Sequence, residues 1–178
     1  QPGGILTVDD SVGVATSNRL GGNTRAITLN GGTFNLIGNA SGSAETLGAL
    51  TFGSGGTTIN VPTSVNSVLT FGNVTQTAGG NTVNYTGALG TVTNKIVVGT
   101  YTLTGNILPR ATVTSGANFD YATTGANGVI AFSAYNTGNN LDTALTTDTL
   151  KLTANPAWTG VSAGVTSLSK TINALAIT

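Results

Sequence analysis

Cysteine, histidine and methionine are absent from this chain of 178 residues. The absence of cysteine excludes disulfide bonds and thiol chemistry. The absence of histidine as well excludes the common zinc sites and every mechanism in which a histidine transfers the proton. The sequence therefore predicts neither a metal site nor a cofactor.

Charge is also scarce, with six basic and six acidic residues and a net charge of zero. The hydrophobic fraction is 39%, whereas disordered chains are highly charged and poor in apolar residues, so we expect one folded domain over residues 1–178. A neutral chain has no electrostatic attraction to nucleic acid, and no apolar run reaches the roughly 18 residues of a membrane helix. We therefore expect neither nucleic-acid binding nor membrane insertion.

The start of the chain, Gln1 to Gly4, has neither an initiator methionine nor the pattern of a signal peptide. We expect a mature product or a piece cut from a longer chain. The low net charge favours association between protein molecules.

The chain is rich in glycine, with 26 residues, and in a short repeated pattern. An apolar-x-apolar strand such as Ile27-Thr28-Leu29 is followed by Gly or Asn turn residues and by a second short strand. The same pattern returns at Leu50 and Leu69, and Leu150-Lys151-Leu152 returns as Leu175-Ala176-Ile177. Recurrence at about 20 to 50 residues indicates stacked, solenoid-like units.

Segments that alternate like strands run along the whole chain, and Gly-Gly, Asn-Gly, Ser-Gly and Thr-Gly pairs between them supply tight turns. No segment has a sustained helical period, and the nearest candidate, Ala40 to Leu50, is too rich in glycine. The predicted fold class is all-β. The predicted strands are Ile5 to Val8, Ala26 to Asn30, Thr33 to Ile37, Leu47 to Phe52, Thr57 to Val61, Val68 to Val74, Thr82 to Thr86, Lys95 to Val98, Tyr101 to Leu103, Ala111 to Thr114, Val129 to Tyr135, Thr149 to Thr153 and Ile172 to Ile177.

A parallel β-solenoid (β-helix) with irregular rungs is the predicted architecture, with a β-sandwich or jelly roll as the alternative. The recurrence of Ile27, Leu50 and Leu69 in similar local sequence favours a stacked ladder. The pattern loosens over residues 89–140, where aromatic residues such as Phe119 interrupt it, so we expect a bulged rung or an inserted module there.

Several segments of the chain form a characteristic series of short words. The run Ile27 to Ser41 (ITLNGGTFNLIGNAS) is followed by Glu45 to Thr51 (ETLGALT). Further along come Gly105 to Val113 (GNILPRATV), Phe119 to Ala122 (FDYA) and Asp148 to Thr153 (DTLKLT). In this order the segments resemble the large autotransporter-associated β-strand repeat proteins of bacteria. The resemblance implies a secreted or cell-surface β-solenoid segment of a structural or adhesive protein, with no catalytic residues to carry over.

Both ends of the predicted solenoid lack edge protection. Natural proteins blunt an exposed edge with lysine, proline or a cap, and the sequence predicts neither a capping helix nor a charged terminal strand. We therefore expect copies of the chain to pair end to end, which builds an extracellular fibre or surface layer when the contact does not close. The candidate self-assembly residues are Ile5, Leu6, Val8, Ile172, Leu175 and Ile177.

An adhesive role is the alternative, in which the chain binds surface glycans as a passenger segment. Trp158 follows Pro156-Ala157 in a predicted loop and is the candidate contact to a glycan or to another subunit. Three sequons place candidate glycosylation at Asn39, Asn73 and Asn84.

A polysaccharide-active enzyme is a distant third hypothesis. Glycoside hydrolysis needs two carboxylates roughly 5 to 10 Å apart, and Asp9-Asp10 is the only adjacent pair. That pair fits hydrogen bonding within a turn better than catalysis. We therefore expect no enzymatic activity.

Overall fold

The computed structural model describes residues 3–62, 66–77, 79–115, 118–136 and 145–152 and the strand Ala174–Ile177. Within these residues the chain is all-β, with fifteen strands and no helix, and stacked parallel strands form a β-solenoid as predicted. No helix in this part of the chain is long and apolar enough to cross a membrane. The strands are β1 (Ile5–Asp9), β2 (Ile27–Leu29), β3 (Gly32–Ile37), β4 (Ser43–Leu47), β5 (Leu50–Phe52), β6 (Gly55–Val61), β7 (Ser67–Phe71), β8 (Val74–Gln76), β9 (Asn81–Gly87), β10 (Lys95–Val98), β11 (Ala111–Ser115), β12 (Asn118–Gly125), β13 (Gly128–Ala131), β14 (Thr149–Leu152) and β15 (Ala174–Ile177).

Three sheets form the faces of the solenoid. Sheet 1 has the order β1-β3-β6-β9-β11-β12-β13, sheet 2 has the order β10-β7-β4, and sheet 3 has the order β2-β5-β8. Each full coil places one strand in each sheet, so that β3, β4 and β5 are followed by β6, β7 and β8. Paired residues on successive rungs of sheet 1 lie 25, 26 and 28 positions apart, as in the column Phe34, Ile59, Tyr85 and Val113. The rungs are therefore irregular in length, as predicted.

The core is narrow and is built from every second residue of the strands, because alternate side chains of a strand point to opposite faces. Phe34, Ile59 and Tyr85 form a fully buried column behind sheet 1. The ring of Phe34 meets that of Phe71, from sheet 2, edge to face at 5.9 Å between centroids. Full burial of one such side chain stabilises the fold by about 1.5–3 kcal/mol.

Glycines form the corner between sheets 2 and 3 on three successive coils. The backbone N–H of Gly72 donates to the carbonyl oxygens of Leu47 (3.1 Å) and Gly48 (2.9 Å), and Gly99 repeats this one coil later on Phe71 and Gly72 (3.0 Å each). A Cβ atom added at Gly99 would lie 2.6 Å from the carbonyl oxygen of Gly72. The coils stack backbone on backbone at this corner, which a larger residue would prevent.

The predicted ladder of Ile27, Leu50 and Leu69 is half correct. Ile27 pairs with Leu50, but Leu50 pairs next with Val74, and Leu69 lies in sheet 2 opposite Ile96. A full coil runs from Leu50 to Val74. Leu69 lies less than one coil after Leu50, so it belongs to sheet 2 and not to sheet 3. The predicted ladder from Leu150–Leu152 to Leu175–Ile177 is confirmed as the parallel pair β14–β15.

The predicted strands differ from the observed ones in several places. Strand β12 was not predicted, and the single predicted strand Val68 to Val74 is divided between β7 and β8. Most of β4 lies outside the predicted strand that begins at Leu47, and residues 101–103 form no strand. Thr104 instead bridges Ile107 in a tight antiparallel turn. The parallel stacking of sheet 1 ends at β11, which pairs antiparallel with β12, and β12 pairs antiparallel with β13.

Candidate assembly surfaces at the two ends

Strand β1 is the outer strand of sheet 1 and pairs with β3 alone among the described strands. Its alternation places Leu6 opposite Phe34 and Val8 opposite Leu36, so both belong to the core side. Val8 is buried, but Leu6 remains 39% exposed and Ile5, on the outer side, is 72% exposed. Within the described part of the chain, this strand therefore presents an unpaired backbone edge with apolar side chains beside it.

Exposed apolar side chains concentrate near this end. Of the eight large hydrophobic residues that are exposed in the described part of the chain, four lie close to its start, namely Ile5, Leu6, Val12 and Val14. Exposed apolar patches on soluble proteins mark sites of interaction. The end of the solenoid that carries β1 thus has the composition of a contact surface.

The same end is closed over sheet 2, which corrects the expectation of a wholly open edge. The backbone N–H of Asn18 donates to the carbonyl of Ala44 (2.9 Å), and its side-chain oxygen accepts from the N–H of Thr46 (3.0 Å). The buried Glu45 carboxylate accepts from the N–H groups of Arg19 and Leu20, both at 2.8 Å. We call the stretch from Thr16 to Leu20 the cap segment, because it covers the outer edge of β4.

Asp10 anchors the start of the cap segment. Its carboxylate, buried at the end of β1, accepts from the hydroxyl of Ser43 (2.7 Å) and the N–H of Thr16 (2.9 Å), and it pairs with the guanidinium of Arg19 (2.6 Å). The bond from Ser43 is the largest cause that holds the pKa of Asp10 below its ordinary value. Asp9, by contrast, accepts from the N–H of Ser11 (2.9 Å) in the predicted turn bond. Hydrogen bonding from the side chain of Ser11, and then from its backbone, lowers the pKa of Asp9.

Strand β14 continues the solenoid pattern beyond the antiparallel hairpin. Asn136 bridges Leu150 in parallel, and Lys151 forms an ion pair with Asp120 on β12. Strand β15 pairs with β14 alone among the described strands, with Leu175 opposite Leu150. The next pair on the same face is Leu152 and Ile177. Ile172 and Trp158 lie outside the described residues.

The three sequons have different surroundings. Asn39 is buried, and its side-chain nitrogen donates to the carbonyl oxygens of Asp10 (2.9 Å) and Gly13 (3.2 Å), so a glycan on that nitrogen would displace both bonds. Asn84 is half-buried on β9. Asn73 is exposed at a corner just before β8, which makes it the most accessible of the three.

The other described carboxylates are also engaged within the fold. Asp120 pairs with Lys151, and Asp148 accepts from the N–H of Leu145 (2.8 Å) and the side chain of Asn136 (2.9 Å). Among the described residues no three acidic side chains come together as metal ligands. The adjacent pair Asp9-Asp10 is used to turn the chain and to hold the cap segment.

Sequence reasoning missed an uncharged polar surface on the outside of sheet 1. Four adjacent strands each place two polar residues there, two positions apart, and the register aligns them in two columns. The sequence signal that could have located this surface is the recurrence of Thr-x-Asn, Asn-x-Thr and Thr-x-Thr in these strands. We call this surface the polar outer face; its columns are Thr33, Thr58, Asn84 and Thr112, and Asn35, Asn60, Thr86 and Thr114.

Comparison with protein-family models, with curated proteins and with solved structures gave no match. The resemblance to autotransporter-associated repeats therefore stays a prediction from the sequence. What the chain can do is inferred from its own geometry.

Proposed function

We propose that the chain is an extracellular structural protein that associates end to end, with strand β15 of one copy adding in parallel to strand β1 of the next. The observation that carries the proposal is the outer edge of β1, which pairs with no other described strand than β3 and has Ile5 and Leu6 exposed beside it. Addition of a strand to such an edge uses backbone hydrogen bonds for affinity and side-chain alternation for register.

The spacing of the C-terminal strands supports this partner. The register step from Leu150 to Leu175 equals the step from Phe34 to Ile59 in sheet 1. Strand β15 therefore follows the coil length of the solenoid, and the next rung in such a stack is another parallel strand. Strand β1 of a second copy fits that place, because β1 already pairs in parallel with β3 behind it.

Continuity of the apolar ladder fixes the register of the contact. Paired residues of neighbouring strands lie on the same face of a sheet, so a slip of one residue would reverse every side chain. Leu6 and Val8 lie on the core side of β1, opposite buried residues of β3. The register that extends this ladder sets Leu175 against Leu6 and Ile177 against Val8. A contact between unlike ends does not close on itself and generates a filament.

Cysteine cross-linking tests this register, because the chain contains no other cysteine. Neighbouring strands lie about 4.8 Å apart, within the roughly 4.4–6.8 Å between Cα atoms that a disulfide spans. A chain with Leu6→Cys and Leu175→Cys, oxidised under native conditions, should give a series of covalent oligomers on a non-reducing gel.

The matched control carries Leu6→Cys and Ala176→Cys, which moves one thiol by one residue to the other face of the strand. Equal cross-linking of the two pairs would exclude the proposed register. Covalent dimers from Leu6→Cys alone, at the same yield, would show that β1 pairs with β1 and would overturn the head-to-tail proposal. Monomers alone from the Leu6/Leu175 pair would overturn the strand contact itself.

A further inference from the structure

The polar outer face differs from the outer side of sheet 2. Its eight residues are threonine and asparagine only, on four consecutive rungs. On β1 the two columns continue with Ile5 and Thr7, and Asp9 and Ile37 lie further along the same side. The outward column that begins at Ala44 on sheet 2 continues instead with Val68 and Lys95. An ordinary protein surface mixes charges of both signs, so the uniform amide and hydroxyl composition is a property of this face.

Hydrogen bonds from rung to rung fix the side chains of one column in place. The side-chain nitrogen of Asn60 donates to the side-chain oxygen of Asn35 (3.2 Å), and the hydroxyl of Thr86 donates to the side-chain oxygen of Asn60 (2.9 Å). The nitrogen of Asn35 donates in turn to the hydroxyl of Thr7 on β1 (3.3 Å). Groups that are held in position before a ligand arrives lose little conformational entropy when it binds.

The other column keeps hydrogen-bonding capacity free. The hydroxyl groups of Thr112 and Thr114 both donate to the side-chain oxygen of Asn84 (3.1 Å each), which leaves the side-chain nitrogen of Asn84 without a partner among the described residues. The hydroxyl groups of Thr33 and Thr58 likewise have no partner in that part of the chain. An amide nitrogen and two hydroxyl groups thus remain as donors and acceptors toward the outside.

Two aromatic rings extend these columns. On β12, Tyr121 pairs with Thr112 and Phe119 pairs with Thr114, so both belong to the same side of sheet 1 as the polar outer face. Phe119 is 49% exposed. The face therefore combines a rigid array of amides and hydroxyls, repeating about every 4.8 Å, with apolar ring surface at one end.

We propose that the polar outer face and the Phe119 ring bind an extended neutral polysaccharide. The hydroxyl groups of sugar rings hydrogen-bond to amides and hydroxyls, and the apolar faces of the rings stack on aromatic side chains. The face carries no charge, which matches an uncharged polymer and offers no attraction to a charged one. The proposal does not depend on the ends, because the polar outer face lies on the side of the solenoid.

Binding to microcrystalline cellulose and to chitin tests the proposal, with depletion of the protein from the supernatant as the readout and tubes without polysaccharide as the control for self-association. We expect saturable binding that persists in 1 M sodium chloride, because no charge pair is involved. Phe119→Ala should weaken the binding about tenfold, and Thr58→Val about two- to tenfold.

Thr70→Val is the matched control for Thr58→Val. Thr70 lies on β7, the strand that follows β6 in the chain, and occupies the outer side of sheet 2 instead of sheet 1. Unchanged urea unfolding of each variant shows that the fold is intact. Absence of binding to both polymers overturns the proposal, as does binding that 1 M salt abolishes. Binding that Phe119→Ala and Thr58→Val leave unchanged, or that Thr70→Val weakens equally, excludes this face. Slowed growth of ice crystals without polysaccharide binding would also overturn it, in favour of ice as the bound lattice.

Discussion

Replacement of Glu45 by glutamine tests how the solenoid end is closed. Both oxygens of the buried Glu45 carboxylate accept backbone N–H groups, one from Arg19 and one from Leu20, at 2.8 Å. A glutamine of the same shape offers one oxygen and one NH₂ group, so one N–H loses its acceptor and the other keeps only a neutral one. A hydrogen bond to a charged group contributes about 1.5–3 kcal/mol and a neutral one about 0.5–1.5 kcal/mol, so we expect a loss of about 2–4 kcal/mol.

Two assays separate the cap segment from the rest of the fold. Urea unfolding measures the global loss, and trypsin cleavage after Arg19, followed by mass spectrometry, reports local opening of the cap segment. If local opening becomes easier by about 2 kcal/mol, cleavage at Arg19 should accelerate about 30-fold. Glu45→Leu separates the two readouts. Leu69 and Ile96 occupy the same column on the next coils, so a leucine should pack at this position and limit the loss in urea unfolding. It offers no acceptor to the cap segment, so trypsin cleavage after Arg19 should still accelerate.

Thr46→Val is the control, because Thr46 is the next residue on β4, is half-buried on its outer side and should tolerate the change within about 0.5 kcal/mol. If Glu45→Gln changed neither the urea midpoint nor the cleavage rate at Arg19, the carboxylate would not hold the cap segment. The closure of sheet 2 would then need another cause.

The remaining predictions concern packing and pH. Gly99→Ala sets a methyl group 2.6 Å from the carbonyl oxygen of Gly72 and should lower the free energy of unfolding in urea by about 1–3 kcal/mol. Gly56→Ala is the control, because its added methyl group would lie 3.6 Å from the nearest atom, and it should lower the free energy by less than about 1 kcal/mol. Equal losses would contradict the close stacking. Tyr85→Phe should leave the thermal midpoint unchanged or raised, because the buried hydroxyl of Tyr85 has no hydrogen-bond partner among the described residues and its desolvation is not compensated. A clear drop of the midpoint would reveal a partner. The pKa of Asp10 is lowered from 3.8, so its contribution is complete above that pH and is lost as the pH falls through the folded value; Asp10→Asn should destabilise the protein at pH 7 and flatten the acid dependence of urea unfolding.

The sequence is sufficient for the fold class because strand alternation and coil length are local properties. The pairing of Leu150 with Leu175 follows from one repeated word at a separation of one full coil. The same logic fails for Leu69, because all three sheets use the apolar-x-apolar word and only the coil length tells them apart. Strand β4 was missed since Glu45, an acidic residue that is rarely buried, occupies its core side.

The candidate site was predictable only in part. The exposure of Ile5 and Leu6 follows from an apolar start to a strand whose first charged residue is Asp9, whereas the closure of sheet 2 depends on buried carboxylates that act across about 26–33 positions of sequence. Strand β12 is antiparallel to β11, which sets Phe119 opposite Thr114, and a sequence pattern does not carry strand direction. The polar outer face needed the pairing of strands before its columns could be recognised.

Electron microscopy of the protein at high concentration in native buffer, with diffraction from aligned material, tests the central claim most directly. Parallel end-to-end stacking predicts unbranched filaments one solenoid wide, with a repeat of about 4.8 Å along the filament axis from the strand spacing. The same sample with a charged residue at the edge, Leu6→Lys, should contain single particles. Single particles from the unmodified chain, or filaments that Leu6→Lys does not disturb, would contradict assembly through β1.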